Sequence, residues 1–224
     1  MDAVIKVGGS LSKHPLELKS LCVKLSILAK LYRVAIVPGG DGFADAVRKL
    51  DLTYGFPATV SHKMAILAMD QYGLMLSTLI PGSTLYNSLA KVRNLSRKGR
   101  VAIILPSKPL LREDPFEPSW DVTSDSITAY IAEELHAAKA IFVTDVDGIY
   151  SADPKKKVAA RLFVTAQLDD LLKLKARTSV DRFLPRFLTR NRIDCYVVNG
   201  LYPERVEALL EGRETVCTRI LTSL

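Results

Sequence analysis

Short apolar runs rich in Val and Ile alternate with amphipathic stretches along the whole chain, and this alternation limits the possible folds most. Each run is continuous, as in strands that are buried on both faces of a sheet. Between the runs, apolar residues recur every three or four positions, as from Leu18 to Leu28 and from Met64 to Leu79, which predicts helices. A mainly parallel α/β sheet with helices on both faces follows. The predicted strands are Val4–Val7, Val34–Val37, Val101–Leu105, Ala140–Thr144, Cys195–Val198 and Val216–Ile220.

The chain has 224 residues, a length that suits one α/β domain or two small lobes. We therefore expect neither a disordered chain nor a fibrous repeat. We find no low-complexity linker and no internal repeat. The proline-rich stretch Pro106–Pro118 is the plausible hinge. We therefore predict a single domain over 1–224, with an N-terminal lobe of about residues 1–115 and a C-terminal lobe of about residues 116–224.

The chain has the features of a cytoplasmic protein without a membrane span. Its apolar stretches are far shorter than the roughly 18 to 20 residues that a span needs. Asp2 and Lys6 bracket a short apolar segment, which predicts a strand rather than a secretory signal. Three distant cysteines, Cys22, Cys195 and Cys217, lack a CxxC spacing, so we expect neither a disulfide framework nor a metal site.

The net charge of +7 comes from the N-terminal half. Residues 1–115 hold 16 Lys and Arg against 8 Asp and Glu, whereas 116–224 hold 15 against 16. We interpret the basic run as a solvated helix face rather than a phosphate-attracting surface, because no aromatic residues are interleaved to stack bases. Nucleic acid is therefore not an expected partner, although the charge keeps it as an alternative. The run comprises Lys91, Arg93, Arg97, Lys98 and Arg100.

Two predicted strands run directly into paired glycines, Gly8-Gly9-Ser10 and Pro38-Gly39-Gly40. Paired glycines let backbone amides turn together toward an anion, and a helix N-terminus adds positive partial charge. Lys6 can reach the same phosphate. One such loop is equally well explained as a tight turn, but two at neighbouring strand ends could hold one phosphoryl group from opposite sides. Neither loop is a Walker A loop or a dinucleotide fingerprint.

Two further segments are polar at points where ligands bind. Trp120–Ala132 begins with hydroxyls and carboxylates before a helix; capping explains Thr123 or Ser124, and Asp125 is placed to orient the ammonium of Lys6. Ile141–Lys155 is a buried strand that ends in a polar glycine turn, followed by lysines.

In this order, the four segments resemble the amino acid kinase family, through KVGGS, PGG, TSDS and TDVDGIYSADP. The resemblance implies a three-layer αβα sandwich, with ATP over the C-terminal lobe and the acceptor over the N-terminal lobe. It implies that Lys6 stabilises the transferring phosphoryl group, held in place by Asp125. The glycine loops would bind that group through Gly8, Gly9, Ser10, Gly39 and Gly40. The nucleotide would contact Thr144, Asp145, Asp147, Gly148, Tyr150 and Asp153, with Lys155 near its phosphates.

A narrower resemblance, carried by Ser61–Gly73, Trp120–Ile131 and Asp194–Arg205, is to the archaeal branch that phosphorylates a furan phosphate in methanofuran biosynthesis. It implies transfer of the γ-phosphoryl group of ATP, with Mg²⁺, to a small phosphate monoester, giving a diphosphate. The alternatives are isopentenyl phosphate, a nucleoside monophosphate or an amino-acid carboxylate as acceptor, or a non-catalytic nucleotide-binding or storage protein. The family also implies a homo-oligomer.

One segment departs from the family pattern. Many members carry a second catalytic lysine in a Gly-Met-x-x-Lys stretch, where this chain has Thr178–Arg186. We hypothesise that Arg182 or Arg186 supplies the missing charge. The equally weighted alternative is that both arginines only solvate a helix.

An anionic acceptor needs its own ligands. A phosphate monoester has a second pKa near 6, so it is mostly ionised at neutral pH and needs no general base. The resemblance places an acceptor-binding cation near Thr59–Lys63, and we predict that Lys63, with His62 and Lys13, contacts the acceptor phosphate; an exposed lysine at a helix start is the alternative. An acceptor amine would want a carboxylate, for which Asp41, Asp45 and Asp70 are candidates.

Overall fold

The computed structural model describes residues 1–95, 99–173 and 178–222. Strands and helices alternate through most of this part of the chain. The strands are β1 (Ala3–Val7), β2 (Val34–Pro38), β3 (Ser83–Tyr86), β4 (Val101–Ile104), β5 (Lys139–Thr144), β6 (Thr165–Gln167), β7 (Asp194–Asn199) and β8 (Cys217–Leu221).

A 3₁₀ helix, Gly9–Lys13, follows β1 directly. The α-helices in the described residues are α1 (Pro15–Leu28), α2 (Asp41–Tyr54), α3 (Ala58–Leu79), α4 (Leu89–Arg93), α5 (Ser107–Glu113), α6 (Ser124–Glu134), α7 (Leu168–Lys173), α8 (Leu184–Leu188) and α9 (Pro203–Glu211).

The strands form one sheet in the order β3-β4-β2-β1-β5-β7-β8-β6. Only β7 and β8 pair antiparallel among the described strand pairs, so the prediction of a mainly parallel sheet is confirmed. All six predicted strands are present to within a residue or two, and the two predicted helices correspond to α1 and α3.

Successive strand residues point to opposite sides of the sheet, so both faces carry apolar side chains. Helices cover both of these faces. On one face, Ile5 and Ile36 pack with Leu21 of α1 and Leu209 of α9. On the other, Val4 and Phe142 pack with Ile131 of α6 and Leu188 of α8. The fold is therefore the expected three-layer αβα sandwich.

The centre of the sheet joins the two halves of the chain. β1 pairs with β2 on one side and with β5 on the other, both in parallel. Both glycine loops and the polar turn after β5 thus lie at one edge of the sheet, where ligands bind in open α/β folds. The division into lobes near residue 115 stays an interpretation of this arrangement.

The structure describes Lys91, Arg93 and Arg100 of the basic run. Arg93 forms an ion pair with Glu134, Nη2 to Oε2 at 3.2 Å, and Lys91 is exposed. Arg97 and Lys98 lie outside the described residues. No helix in the described ranges combines the length and the apolar character that crossing a bilayer requires.

Candidate functional site

A cavity of about 880 Å³ opens at the carboxyl edge of the central strands. Its wall combines residues of both predicted lobes, and its volume falls within the range of small-molecule and cofactor sites. Most of the residues predicted from sequence lie in this wall: Lys6, Gly8, Gly9, Ser10, Lys13, Gly40, Asp41, His62, Asp125, Thr144, Asp145, Tyr150, Asp153 and Lys155.

Lys6 and Asp125 form an ion pair at this cavity. The Lys6 Nζ lies 2.8 Å from Asp125 Oδ1, and the two side chains are only 9% and 7% exposed. Lys6 comes from the end of β1, and Asp125 from the first turn of α6. Because a nearly enclosed carboxylate restricts where the ammonium can point, the pair presents a fixed positive charge beside the glycine loops.

The two glycine loops touch each other through backbone atoms. A Cβ on Gly39 would lie 2.6 Å from the Gly9 nitrogen, and one on Gly9 would lie 2.3 Å from the Asp41 nitrogen. Side chains at these positions would force the loops apart. The glycines therefore permit a close approach that brings two sets of amides to one place.

Only some of the amides are free to bind an anion. The Gly8 N–H donates to the Val143 carbonyl at 2.8 Å, and the Gly39 N–H donates to the Val7 carbonyl at 2.9 Å. The expectation that all four glycines donate to the phosphoryl group is corrected accordingly: Gly8 and Gly39 fasten the loops to neighbouring strands. The amides of Gly9 and Gly40 have no acceptor among the described residues.

Asp41 takes a left-handed backbone conformation, with φ of 50°, directly after the second glycine pair. Such a conformation is strained for a residue with a side chain and is often found at functional sites. Its carboxylate accepts a hydrogen bond from the Ser12 hydroxyl. The side chain of Asp41 therefore links the second loop to the 3₁₀ helix that follows the first.

Asp145 is the charged group at the end of β5. Burial acts to raise its pKa, but hydrogen bonds from Lys155 and Ser10 and the Lys155 charge outweigh burial, so the pKa is lowered. The carboxylate is therefore ionised at neutral pH. Its ion pair with Lys155 keeps a lysine ammonium at the cavity wall.

Asp147 and Gly148 have structural partners instead of a place in the described wall. The Asp147 Oδ1 accepts from Asn199 Nδ2 at 2.9 Å and from Arg205 Nη1 at 2.6 Å. A Cβ on Gly148 would lie 2.3 Å from the Thr218 hydroxyl. Both residues thus hold the turn after β5 against the end of the chain, and their contact with a nucleotide stays a prediction.

Arg182, Arg186 and Lys63 are not brought to the cavity either. The Arg182 side chain is 59% exposed, with Nη1 4.0 Å from Asp121 Oδ1. Arg186 and Lys63 are exposed on the surfaces of α8 and α3. All three are absent from the described wall. The structure therefore gives no support to the hypothesis of a replacement arginine or to acceptor binding by Lys63.

Sequence analysis does not identify Asp181, a buried carboxylate in the stretch where a replacement cation is hypothesised. It is 4% exposed, and its backbone N–H donates to Asp125 Oδ2 at 3.1 Å. Its carboxylate accepts from the backbone amides of Thr123 and Ser126, each at 2.9 Å. Burial first, and then the Asp125 charge, raise the pKa of Asp181 to about 6.

The cavity wall contains a second pair that sequence analysis does not identify, Arg48 and Trp120. The Arg48 guanidinium carbon lies 4.6 Å from the Trp120 ring centroid, and the Trp120 Nε1 donates to Asp51 Oδ2 at 2.7 Å. Arg48 and Trp120 both line the cavity. This stacked contact joins residues 72 positions apart, so local sequence patterns contain no signal for it.

His62 lines the cavity, but only two of the three candidate carboxylates do. Burial lowers the pKa of His62, so the ring is uncharged at neutral pH and offers hydrogen bonds rather than charge. Asp41 and Asp45 line the cavity. Asp70 does not lie in the described wall, and its Oδ1 instead accepts from the Ser107 amide at 3.1 Å. Asp41 and Asp45 therefore remain as carboxylates for an acceptor amine.

Comparison with known proteins gives consistent results. The sequence model described as the Amino acid kinase family matches residues 1–199. The chain is 38% identical over 220 residues to the [5-(aminomethyl)furan-3-yl]methyl phosphate kinase of Methanocaldococcus jannaschii, covering 97% of each protein. Among solved structures, uridylate kinase from Archaeoglobus fulgidus superposes with a TM-score of 0.76 at 24% identity, over 99% of this chain and 100% of that one. A product complex of isopentenyl phosphate kinase from T. acidophilum gives 0.63 at 20% identity, over 99% and 100%.

Proposed function

The chain belongs to the amino acid kinase family, and from that premise we propose that it transfers the γ-phosphoryl group of ATP to [5-(aminomethyl)furan-3-yl]methyl phosphate. The observation that carries this acceptor is the 38% identity to the M. jannaschii kinase over almost the full length of both proteins. The product would be the corresponding diphosphate, as the sequence analysis predicts.

The site has the groups that phosphoryl transfer needs. Such transfer depends chiefly on positioning and charge stabilisation. Lys6 would neutralise charge on the transferring group, and the amides of Gly9 and Gly40 would donate hydrogen bonds to it. The acceptor phosphate is already ionised near neutral pH, so it can attack without a side-chain base.

ATP with Mg²⁺ fits the residues present. Mg²⁺ in such sites is held by one or two carboxylates together with substrate phosphates and water, and Asp41 and Asp145 both line the cavity. When bound, the ion supplies positive charge against the phosphates. Lys155, now paired with Asp145, would exchange that partner for a nucleotide phosphate.

The acceptor end offers opposite charges on one wall. Lys13 and Arg48 are cations at the cavity, and Asp41 and Asp45 are carboxylates there. An acceptor with a phosphate at one end and an amine at the other matches this arrangement. Asp41 now accepts from the Ser12 hydroxyl, and Asp45 pairs with Arg48 at 2.8 Å. An acceptor amine and phosphate would exchange for these partners, whereas isopentenyl phosphate has no amine to offer the carboxylates.

The test is ADP release by the purified protein with Mg²⁺ and ATP, with the aminomethylfuran phosphate, isopentenyl phosphate, UMP and AMP offered separately. We expect clear preference for the furan phosphate and a diphosphate product by mass spectrometry. A Lys6→Met variant controls for a contaminating kinase. Preference for another acceptor would refute the furan assignment, and no turnover with any of the four would favour a non-catalytic binding protein.

We further propose a homo-oligomer in the cytoplasm. The free cysteines, two of them buried, suit a reducing compartment.

The oligomer is supported by an apolar stripe on α3. The residues Val60, Leu67 and Leu74 are 41%, 46% and 50% exposed, and their seven-residue spacing places them on one face of the helix. A second copy of the chain would cover this stripe. Light scattering should give a multimer for the wild type and a smaller mass for Leu67→Glu.

A further inference from the structure

We propose that Asp181 is a positioning residue for phosphoryl transfer, which fixes the start of α6 so that Asp125 holds Lys6 in its working orientation. This inference rests on the proposed kinase function. It assigns a role to the segment that departs from the family's lysine-containing pattern, and that role belongs to a carboxylate rather than to a replacement cation.

Asp181 caps α6 from a distant part of the chain. The helix has Thr123 at its N-cap position, but the Thr123 side chain makes no capping hydrogen bond. Instead its hydroxyl donates to Asp181 Oδ2 at 3.0 Å. The Ser126 amide, the usual partner of a local cap, donates to the same oxygen at 2.9 Å.

The other oxygen of Asp181 is also fully used. Oδ1 accepts from the Ser126 hydroxyl and from the Leu184 amide at 2.8 Å. One buried carboxylate therefore joins the start of α6 to the start of α8. All of these partners donate hydrogen bonds to the Asp181 carboxylate. If asparagine replaced Asp181, its NH₂ group would face some of these donors in either orientation of the amide.

The backbone of Asp181 acts on the catalytic pair itself. Its N–H donates to Asp125 Oδ2 at 3.1 Å, while the other oxygen of Asp125 faces the Lys6 ammonium at 2.8 Å. The two oxygens of Asp125 are thus held from opposite directions. A small shift at Asp181 would be passed to Lys6 through a single side chain, and such misplacement is costly in catalysis.

The test compares Asp181→Asn with a matched control, Asp70→Asn. Asp70 also holds the start of a helix from a distance, since its carboxylate accepts from the amide and the hydroxyl of Ser107 at the start of α5. Burial raises the pKa of Asp70 as well. Both variants should lose thermal stability. Only Asp181→Asn should lose catalysis, with kcat reduced at least about 30-fold while the KM for ATP stays within about threefold.

Assays are run well below both melting temperatures, with wild-type turnover measured first. A kcat of Asp181→Asn within twofold of wild type, or an equal loss of kcat in Asp70→Asn, overturns the inference. If the wild type turns over no acceptor, the proposed function has failed, and the inference is judged by ¹⁵N-lysine NMR. The Lys6 ammonium resonance, assigned with Lys6→Arg, should then shift in Asp181→Asn and not in Asp70→Asn; an unchanged resonance refutes the positioning role.

Discussion

At the scale of single residues, the acceptor-binding cation can be identified by comparing two side chains. Arg48 lies against the Trp120 ring at the cavity wall, whereas Lys63 is exposed on α3 outside the described wall. The Arg48 side chain is 34% exposed and pairs with Asp45, Nη1 to Oδ1 at 2.8 Å. A cation that touches an anion in the cavity contributes more to binding than a solvated charge at a distance, because water screens the latter.

We therefore predict that Arg48→Met raises the KM for the acceptor at least about tenfold and leaves the KM for ATP nearly unchanged, which corresponds to a loss of about 1.4 kcal/mol in acceptor binding. Lys63→Met serves as the comparison and should change neither KM by more than about twofold. Steady-state kinetics with each substrate varied in turn decide the matter. A larger acceptor effect for Lys63→Met would restore the original sequence-based prediction.

Asp181 also makes stability depend on pH. Burial, followed by the Asp125 charge, raises its pKa to about 6, above an unfolded value of about 4. The charged groups near it are Asp125 on α6, Lys6 on β1, which pairs with Asp125, and the adjacent Arg182–Asp121 pair. Between these two pKa values the folded state binds the proton more tightly, so this group's contribution to stability is full below about pH 4 and is lost as the pH rises through about 6.

Asp181→Asn removes this titration. The wild-type melting temperature minus that of the variant should therefore decrease between about pH 4 and pH 6 and become constant above about pH 7. Scanning calorimetry of both proteins across this range provides the measurement. A difference that grows with pH would mean that the Asp181 pKa is lowered rather than raised in the folded protein.

At the scale of elements, the two glycine loops are predicted to tolerate side chains very differently along their length. A Cβ on Gly9 would lie 2.3 Å from the Asp41 nitrogen and 2.5 Å from its Cα, which are backbone atoms that cannot turn away. Gly42, only three positions beyond Gly39, would meet nothing within 4 Å. It lies in the first turn of α2 and is exposed.

Gly9→Ala should therefore lower kcat by at least about 100-fold, because the added Cβ would push the loops apart and misplace their amides, and a lost well-placed donor costs this much in comparable sites. Gly42→Ala should keep full activity and gain up to about 1 kcal/mol of stability through helix propensity. Activity assays and thermal melts of both variants test the pair. Full activity in Gly9→Ala would show that the loops do not need their close approach.

Apart from β8, which is only partly buried, the strands that could be predicted from sequence are those with a buried environment. β1, β2, β4, β5 and β7 are continuous apolar runs because both of their faces are covered. β3 and β6 were missed, and they are the two edges of the sheet. Both edge strands are partly exposed and contain polar residues: Ser-Thr-Leu-Tyr in β3 and Thr-Ala-Gln in β6. Neither strand has the apolar run on which the strand prediction depends.

The site divides in a similar way. Lys6, Asp125, Asp145 and the glycine loops were predictable, because each stands at the end of a recognisable strand or the start of a helix. Asp181 and the Arg48–Trp120 contact were not, because their partners lie more than 50 positions away in sequence. The hypothesis for Arg182 and Arg186 gains no support from the structure: residue type suggests a charge, but both side chains are exposed, Arg182 before α8 and Arg186 on it.

At the scale of the whole molecule, the two predicted lobes share both hydrophobic clusters, one on either face of the sheet. One cluster contains Val4, Ala35 and Ile104 from the first half of the chain together with Phe142 and Cys195 from the second. The central strand β1 pairs over five residues with each of its neighbours, one from either half. Neither half could therefore unfold without exposing the apolar surface of the other, which defines a single cooperative unit.

A single cooperative unit predicts one unfolding transition, although the proline-rich stretch Pro106–Pro118 connects the two halves. Trp120, the single tryptophan, follows that connection and contacts Asp51 and Arg48 of α2, so its fluorescence reports on the contact between the halves. Far-ultraviolet circular dichroism reports on the sheet and helices as a whole. Midpoints from the two signals should coincide in urea, and a non-hydrolysable ATP analogue should raise both equally, because a ligand of the folded state stabilises the entire unit. A fluorescence transition at lower urea than the dichroism transition would instead mean that the lobes separate before they unfold, and the shared sheet would then be too weak to hold Lys6 and Asp125 in one site.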